Sequence, residues 1–149
     1  IFGNVPYNIS SQIIFKFLNK YKWNSMVLMI QKELAQRIVS KHNTREYGRI
    51  SVMVQTFCNV NIETNISRNV FYPKPKVDSS IIKFKKKKQK INHEKYSVFI
   101  KECFKQKRKK IKNNLKNICE KNVLEDLAEK RPEHISVKNY IELYNKIYI

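Results

Sequence analysis

Acidic residues are scarce in this 149-residue chain: 12 Asp and Glu stand against 31 Lys and Arg, a net charge of +19. That excess is too large for an ordinary solvated surface and points to a polyanionic partner. Cysteines are few and scattered. Cys58, Cys103 and Cys119 are odd in number and include no CxxC pair, so neither a disulfide framework nor a zinc site is indicated. A reducing, cytoplasmic setting is expected, and no metal is expected. His42, His93 and His134 show no ligand spacing and are read as surface or capping residues. No apolar run approaches the roughly 18 residues of a membrane-spanning helix, and no signal peptide is visible. A membrane-surface role would need one basic amphipathic helix with a broad apolar face. Here the charge is instead interleaved with Tyr, Phe and Ile throughout, which favours nucleic acid.

Hydrophobic residues make up 42% of the chain, enough for a packed core and against wholesale disorder. Ile1–Val5 is expected to be a buried strand, so a portion of sheet is expected ahead of residue 1. Ser10 or Ser11 is placed to cap a helix over 12–21, where Ile13, Ile14, Phe17 and Leu18 follow the helical period. A short apolar strand over 25–30 and a helix over 32–40 follow. Residues 49–57 fit either helix or strand by pattern alone. Residues 59–66 and 77–84 alternate as half-buried strands. The lysine run 85–90 marks a boundary. Beyond it the pattern is helical, with stripes at Tyr96, Phe99, Ile100 and Cys103, at Ile111, Leu115 and Ile118, and at Tyr140 and Tyr144. Pro132 interrupts it, and Ser136 is placed to cap the last helix.

Between the first strand and the first helix lies Asn4-Val5-Pro6-Tyr7. In an open α/β sheet, ligands bind outside the carboxyl ends of the strands. The Asn4 amide oxygen and the Pro6 backbone oxygen are acceptors suited to the two hydrogens of an exocyclic amine. Tyr7 is placed to stack on the ring that bears it. Asn-(Val/Leu/Ile)-Pro-Tyr is the catalytic motif of S-adenosylmethionine-dependent adenine N6-methyltransferases.

Other segments follow in order: 31–37 (Gln-Lys-Glu-Leu-Ala-Gln-Arg), 47–55 (Tyr-Gly-Arg-Ile-Ser-Val-Met-Val-Gln), 71–80 (Phe-Tyr-Pro-Lys-Pro-Lys-Val-Asp-Ser-Ser), 104–111 and 131–136. Together they resemble the small-subunit ribosomal RNA adenine dimethyltransferases of the KsgA type, from Ile1 to about Tyr144. The resemblance implies an α/β fold: the C-terminal half of a Rossmann-like S-adenosylmethionine-dependent methyltransferase sheet over residues 1–88, then a small all-helical RNA-binding domain over 89–149. It favours helix for 49–57.

The resemblance also implies dimethylation of two adjacent adenosines near the 3′ end of 16S rRNA, on a pre-30S particle, by a monomer. Asn4, Pro6, Tyr7 and Phe71 are the implied catalytic residues, with Phe71 across the base from Tyr7. Asn4, Val5 and Pro6 would lie beside S-adenosylmethionine. The family's acidic glycine-rich loop has no counterpart here, since Gly3 and Gly48 are the only glycines. Arg49 is a candidate phosphate contact, or else an ion-pair partner of Glu46 or Glu33. Lys105, Arg108 and Lys109, read as lying on an amphipathic helix, are candidate RNA contacts. Two alternatives stand beside this reading: a 23S rRNA methyltransferase of the macrolide-resistance type, and a non-catalytic ribosome-assembly factor. Residues 47–55 and 131–136 favour the small-subunit family over the first.

Overall fold

A computed structural model describes all of residues 1–149. Its elements are β1 (Phe2–Asn4), α1 (Ser10–Lys20), β2 (Ser25–Gln31), α2 (Lys32–Val39), α3 (Arg49–Phe57), β3 (Cys58–Ile66) and β4 (Ser79–Lys86). The helices α4 (His93–Cys103), α5 (Ile111–Asn114), α6 (Lys121–Leu124) and α7 (Val137–Tyr148) follow. The four strands form one mixed sheet in the order β1-β2-β4-β3. β1 runs parallel to β2, and β4 runs antiparallel to both β2 and β3.

Period-two patterning buries Met26, Leu28 and Ile30 of β2 and Ile82 and Phe84 of β4. Ile14 and Leu18 of α1 and Ile38 of α2 join them, as do Met53 and Val54 of α3. The helical segment adds Tyr96, Phe99, Tyr140 and Tyr144 to the same contiguous cluster of 31 buried residues. Buried phenols find partners. Tyr96 Oη lies 3.1 Å from Thr56 Oγ1, Tyr47 Oη donates to the Ile135 carbonyl at 2.9 Å, and Tyr140 Oη donates to the Pro132 carbonyl at 2.8 Å. Asn92 caps α4 by accepting from Lys95 N–H, and Ser136 caps α7 by accepting from Asn139 N–H. No helix is long and apolar enough to cross a membrane.

Three local expectations are corrected. Residues 2–4 form a strand, but an exposed one, with Phe2 86% accessible. β1 pairs with β2 alone. Neither Ser10 nor Ser11 caps α1. The N-cap position is Ile9, and the Ser10 hydroxyl donates back to the Pro6 carbonyl. Finally, Lys105, Lys107, Arg108 and Lys109 occupy a series of turns between α4 and α5, not a helix. The Asn114 amide takes the carbonyls of Cys103 and Gln106, and like charges four apart, as at Lys105 and Lys109, disfavour a continuing helix.

Candidate active site

The strand register brings four strand ends to one lip of the sheet. Asn4 closes β1 opposite Met29, while Gln31 ends β2 and Ile66 ends β3, both opposite Ser79 at the start of β4. The Asn4–Tyr7 turn and the 67–78 loop both leave from this lip.

The turn is anchored from below. The Val5 side chain is buried, and its N–H donates to the Met29 carbonyl at 3.2 Å. Pro6 has φ −53° and ψ 131°, the extended conformation a proline ring allows. A single 3₁₀ turn over Tyr7–Ile9 then leads into α1. The Asn4 carboxamide is exposed and bonds to nothing within the chain.

The Pro6 carbonyl does not match its expected role. It accepts from Ile9 N–H at 3.2 Å and from the Ser10 hydroxyl at 2.9 Å. A carbonyl oxygen has two lone pairs, so both are engaged. The Val5 carbonyl accepts no hydrogen bond. The main-chain acceptor left beside Asn4 is therefore that of Val5, while Pro6 shapes the turn.

Tyr7 is half-buried, and its phenol oxygen lies 2.5 Å from Ser79 Oγ. Ser79 itself is fully buried and laddered to strands on both sides. Phe71, also half-buried, follows the Arg68–Val70 turn. Its loop is braced by Arg68, whose guanidinium donates to the Lys76 carbonyl at 2.7 Å and whose N–H donates to Asp78 Oδ1 at 3.0 Å. Sequence reasoning missed Arg68, Asp78 and Ser79 as supports. The last two lay inside a recognised motif but carried no signal of what they would touch.

Arg49 pairs with neither Glu46 nor Glu33. Its Nη2 donates to Ser97 Oγ at 3.2 Å and its guanidinium lies 5.3 Å from the Phe15 ring centre, tying α3 to α1 and α4. Lys105 and Lys109 line an open groove of about 400 Å³ rich in Asn and Gln. Lys107 turns away, donating to the Arg45 carbonyl at 3.2 Å. Nearby, Glu129 engages Lys110 at 2.6 Å, Lys112, and Lys121 at 3.5 Å. The hydrogen-bonded ammonium groups of Lys110 and Lys112 pull its carboxyl well below the usual range, to about 2. Arg108 and Lys109 have no acidic partner, and Lys105 has only Glu102 at 3.3 Å.

A mixed α/β sheet with an Asn-Val-Pro-Tyr turn on its lip is the Rossmann-like methyltransferase class. The solved dimethyladenosine transferase from Plasmodium falciparum superimposes with a TM-score of 0.86 at 30% identity, over 99% of this chain and 67% of that one. The 23S rRNA methyltransferase ErmE shares the fold with a TM-score of 0.64 at 22% identity, over 98% of this chain and 64% of that one. The family model for ribosomal RNA adenine dimethylase matches residues 1–148, and the chain belongs to that family. Among curated relatives, Ribosomal RNA small subunit methyltransferase A of Mycoplasma mobile is 40% identical over 157 residues, covering 99% of this chain. Its namesake from Borrelia garinii subsp. bavariensis is 39% identical over 154 residues, again covering 99% of this chain. The chain spans 62% and 55% of these two relatives' lengths, respectively.

Proposed function

We propose that this protein methylates the exocyclic amine of adenine in small-subunit ribosomal RNA, twice at each of two adjacent adenosines near the 3′ end. The observation that carries the reading is that the Asn4 carboxamide and the Val5 carbonyl, on consecutive residues at the sheet lip and just ahead of Tyr7, both stand without a partner. The names of the curated relatives support the choice of small-subunit RNA.

An adenine amine is a poor nucleophile because its lone pair is delocalised into the ring. Two acceptors, Asn4 Oδ1 and the Val5 carbonyl, draw its hydrogens out of the ring plane and localise that lone pair. This is positioning and local electrostatics, and it calls for no strong base. Tyr7 and Phe71 hold the base, swung out of its stack, between their rings. Such stacking contributes roughly 1–3 kcal/mol per base. S-adenosylmethionine, as co-substrate, supplies the electrophilic methyl carbon. Of these 149 residues, Asn4, Val5 and Pro6 would border it; no acidic glycine-rich cradle is among them.

In this reading residues 1–88 carry the chemistry. Residues 89–149 hold RNA through Lys105, Arg108 and Lys109, and the protein works as a cytoplasmic monomer on the pre-30S particle. Arg49 is assigned as a brace between α3, α1 and α4. The test is mass mapping of methylated adenosines in rRNA from cells with and without the gene, together with Asn4→Ala in the full-length protein. Asn4→Ala is expected to lower turnover at least a hundredfold with RNA affinity unchanged. Retained turnover refutes the role of Asn4, and methylation confined to large-subunit rRNA refutes the substrate.

A further inference from the structure

The 67–78 loop tucks one aromatic ring in and turns the next one out. Phe71 is half-buried, whereas Tyr72 is fully exposed. Phe71 has φ −104° and ψ 146°, an extended backbone in which successive side chains point to opposite sides. Val70 and Val77 are exposed on the same loop. A Tyr ring in full contact with water adds no burial to the fold.

The segment that presents this ring is tied on both sides of it. Before it, Ser67 Oγ accepts from Asn69 N–H at 3.3 Å, and Phe71 N–H donates to the Arg68 carbonyl at 3.4 Å. After it, the Arg68 guanidinium holds the Lys76 carbonyl at 2.7 Å. The Asp78 carbonyl accepts from Lys32 N–H at 3.0 Å, where α2 begins. Pro73 and Pro75 fix φ between these ties. A loop already ordered gives up little conformational entropy when its exposed ring meets a ligand.

Charge points to the kind of ligand. Lys74 and Lys76 follow the ring, both exposed and neither paired with a carboxylate. The one acid of the loop, Asp78, is engaged by Arg68 N–H. An exposed ring beside unpaired ammonium groups suits a single nucleic-acid strand, whose bases stack while its phosphates meet the cations.

We propose that Tyr72 stacks on the base next to the target adenine in the RNA strand, with Lys74 and Lys76 meeting the adjoining phosphates. Extruding a base strips its neighbour of a stacking partner. The strand crosses the loop with the target turned in toward Phe71, and Tyr72, on the opposite side of the chain, replaces the lost stack. Tyr72 is thus a positioning residue, remote from the methyl transfer itself. This deepens the RNA-methyltransferase reading and rests on it.

The test measures transfer of tritiated methyl from S-adenosylmethionine by the full-length protein to small ribosomal subunits from cells lacking the gene. Tyr72→Ala is expected to lower kcat/KM between about fivefold and about a hundredfold, the worth of one base stack. Tyr72→Phe and Tyr72→Trp should stay within about twofold of wild type, since stacking needs the ring and not the hydroxyl. The melting temperature of Tyr72→Ala should equal that of wild type. Wild-type kcat/KM in Tyr72→Ala overturns the stack while leaving the methyltransferase reading in place. A loss that Phe does not rescue overturns it in favour of the hydroxyl, and a loss that tracks a lowered melting temperature overturns it in favour of a structural contact. Wild-type protein that transfers no methyl to these subunits defeats the underlying reading, and the stack with it.

Discussion

The phenol oxygen of Tyr7 meets the hydroxyl of Ser79 at 2.5 Å, joining the motif turn to the first residue of β4, one of the sheet's two internal strands. Ser79 cannot drift, because it is buried and its backbone is laddered to Gln31 and Ile66. The bond therefore fixes the orientation of the Tyr7 ring. Tyr7→Phe and Ser79→Ala are each expected to lower kcat of methylation about threefold to tenfold, the worth of about 1 kcal/mol. Tyr7→Ala should lose more, since the ring goes as well. In a double-mutant cycle Tyr7→Phe/Ser79→Ala should be no worse than either single variant. Additive losses would show that the two hydroxyls act separately.

Neutralising Lys105, Arg108 and Lys109 together is expected to weaken RNA binding across sequences and reduce the salt slope by about 2–3. Arg108 and Lys109 have no carboxylate to satisfy them, and Lys105 only an exposed one. Anisotropy titrations against salt measure this directly. An unchanged slope would move the contact surface elsewhere.

Glu129 gives a pH signature. Its carboxyl gives up its proton more readily in the folded chain, where Lys110 and Lys112 hydrogen-bond it, than in the unfolded one. Its stabilising contribution is therefore complete above about pH 4.5 and vanishes as pH falls through about 2. The melting-temperature difference between wild type and Glu129→Gln should be constant near neutrality and close between those limits. A difference independent of pH would mean that the lysine cluster does not depend on the charge.

Tyr47→Phe removes the only donor to the Ile135 carbonyl, a buried bond joining the 41–48 loop to the approach of α7. The expected loss is about 1–3 kcal/mol of stability, read from urea denaturation. The denaturant slope should not change, because the fold is otherwise intact. A loss well under about 0.5 kcal/mol would mean that water replaces the phenol.

Much of the fold was legible from residue patterns. The helical stripes at Tyr96, Phe99 and Tyr140 and the alternation over 79–84 reflect local periodicity imposed by one-sided burial. Ser136 announced its own cap because capping is a contact three residues away. The pairing of Arg49 was not legible, since Ser97 is 48 residues distant and competes with nearer carboxylates only after α4 has docked. The end of α4 at Cys103 was hidden as well, because Asn114 ends it from across a turn.

Sequence alone determined the chemistry on offer: an Asn-Val-Pro-Tyr turn between strand and helix, a basic surface and an alternation that builds a sheet. These are local properties, set by side-chain type and spacing. Tertiary structure decided which groups remain free to act. Ile9 and Ser10 engage the Pro6 carbonyl and leave that of Val5 open, Ser79 fixes Tyr7, and Glu129 pairs with Lys110, Lys112 and Lys121 while Arg108 and Lys109 stay without a carboxylate. A hydrogen-bonding group has a limited number of partners, and which groups claim it is settled when distant segments meet.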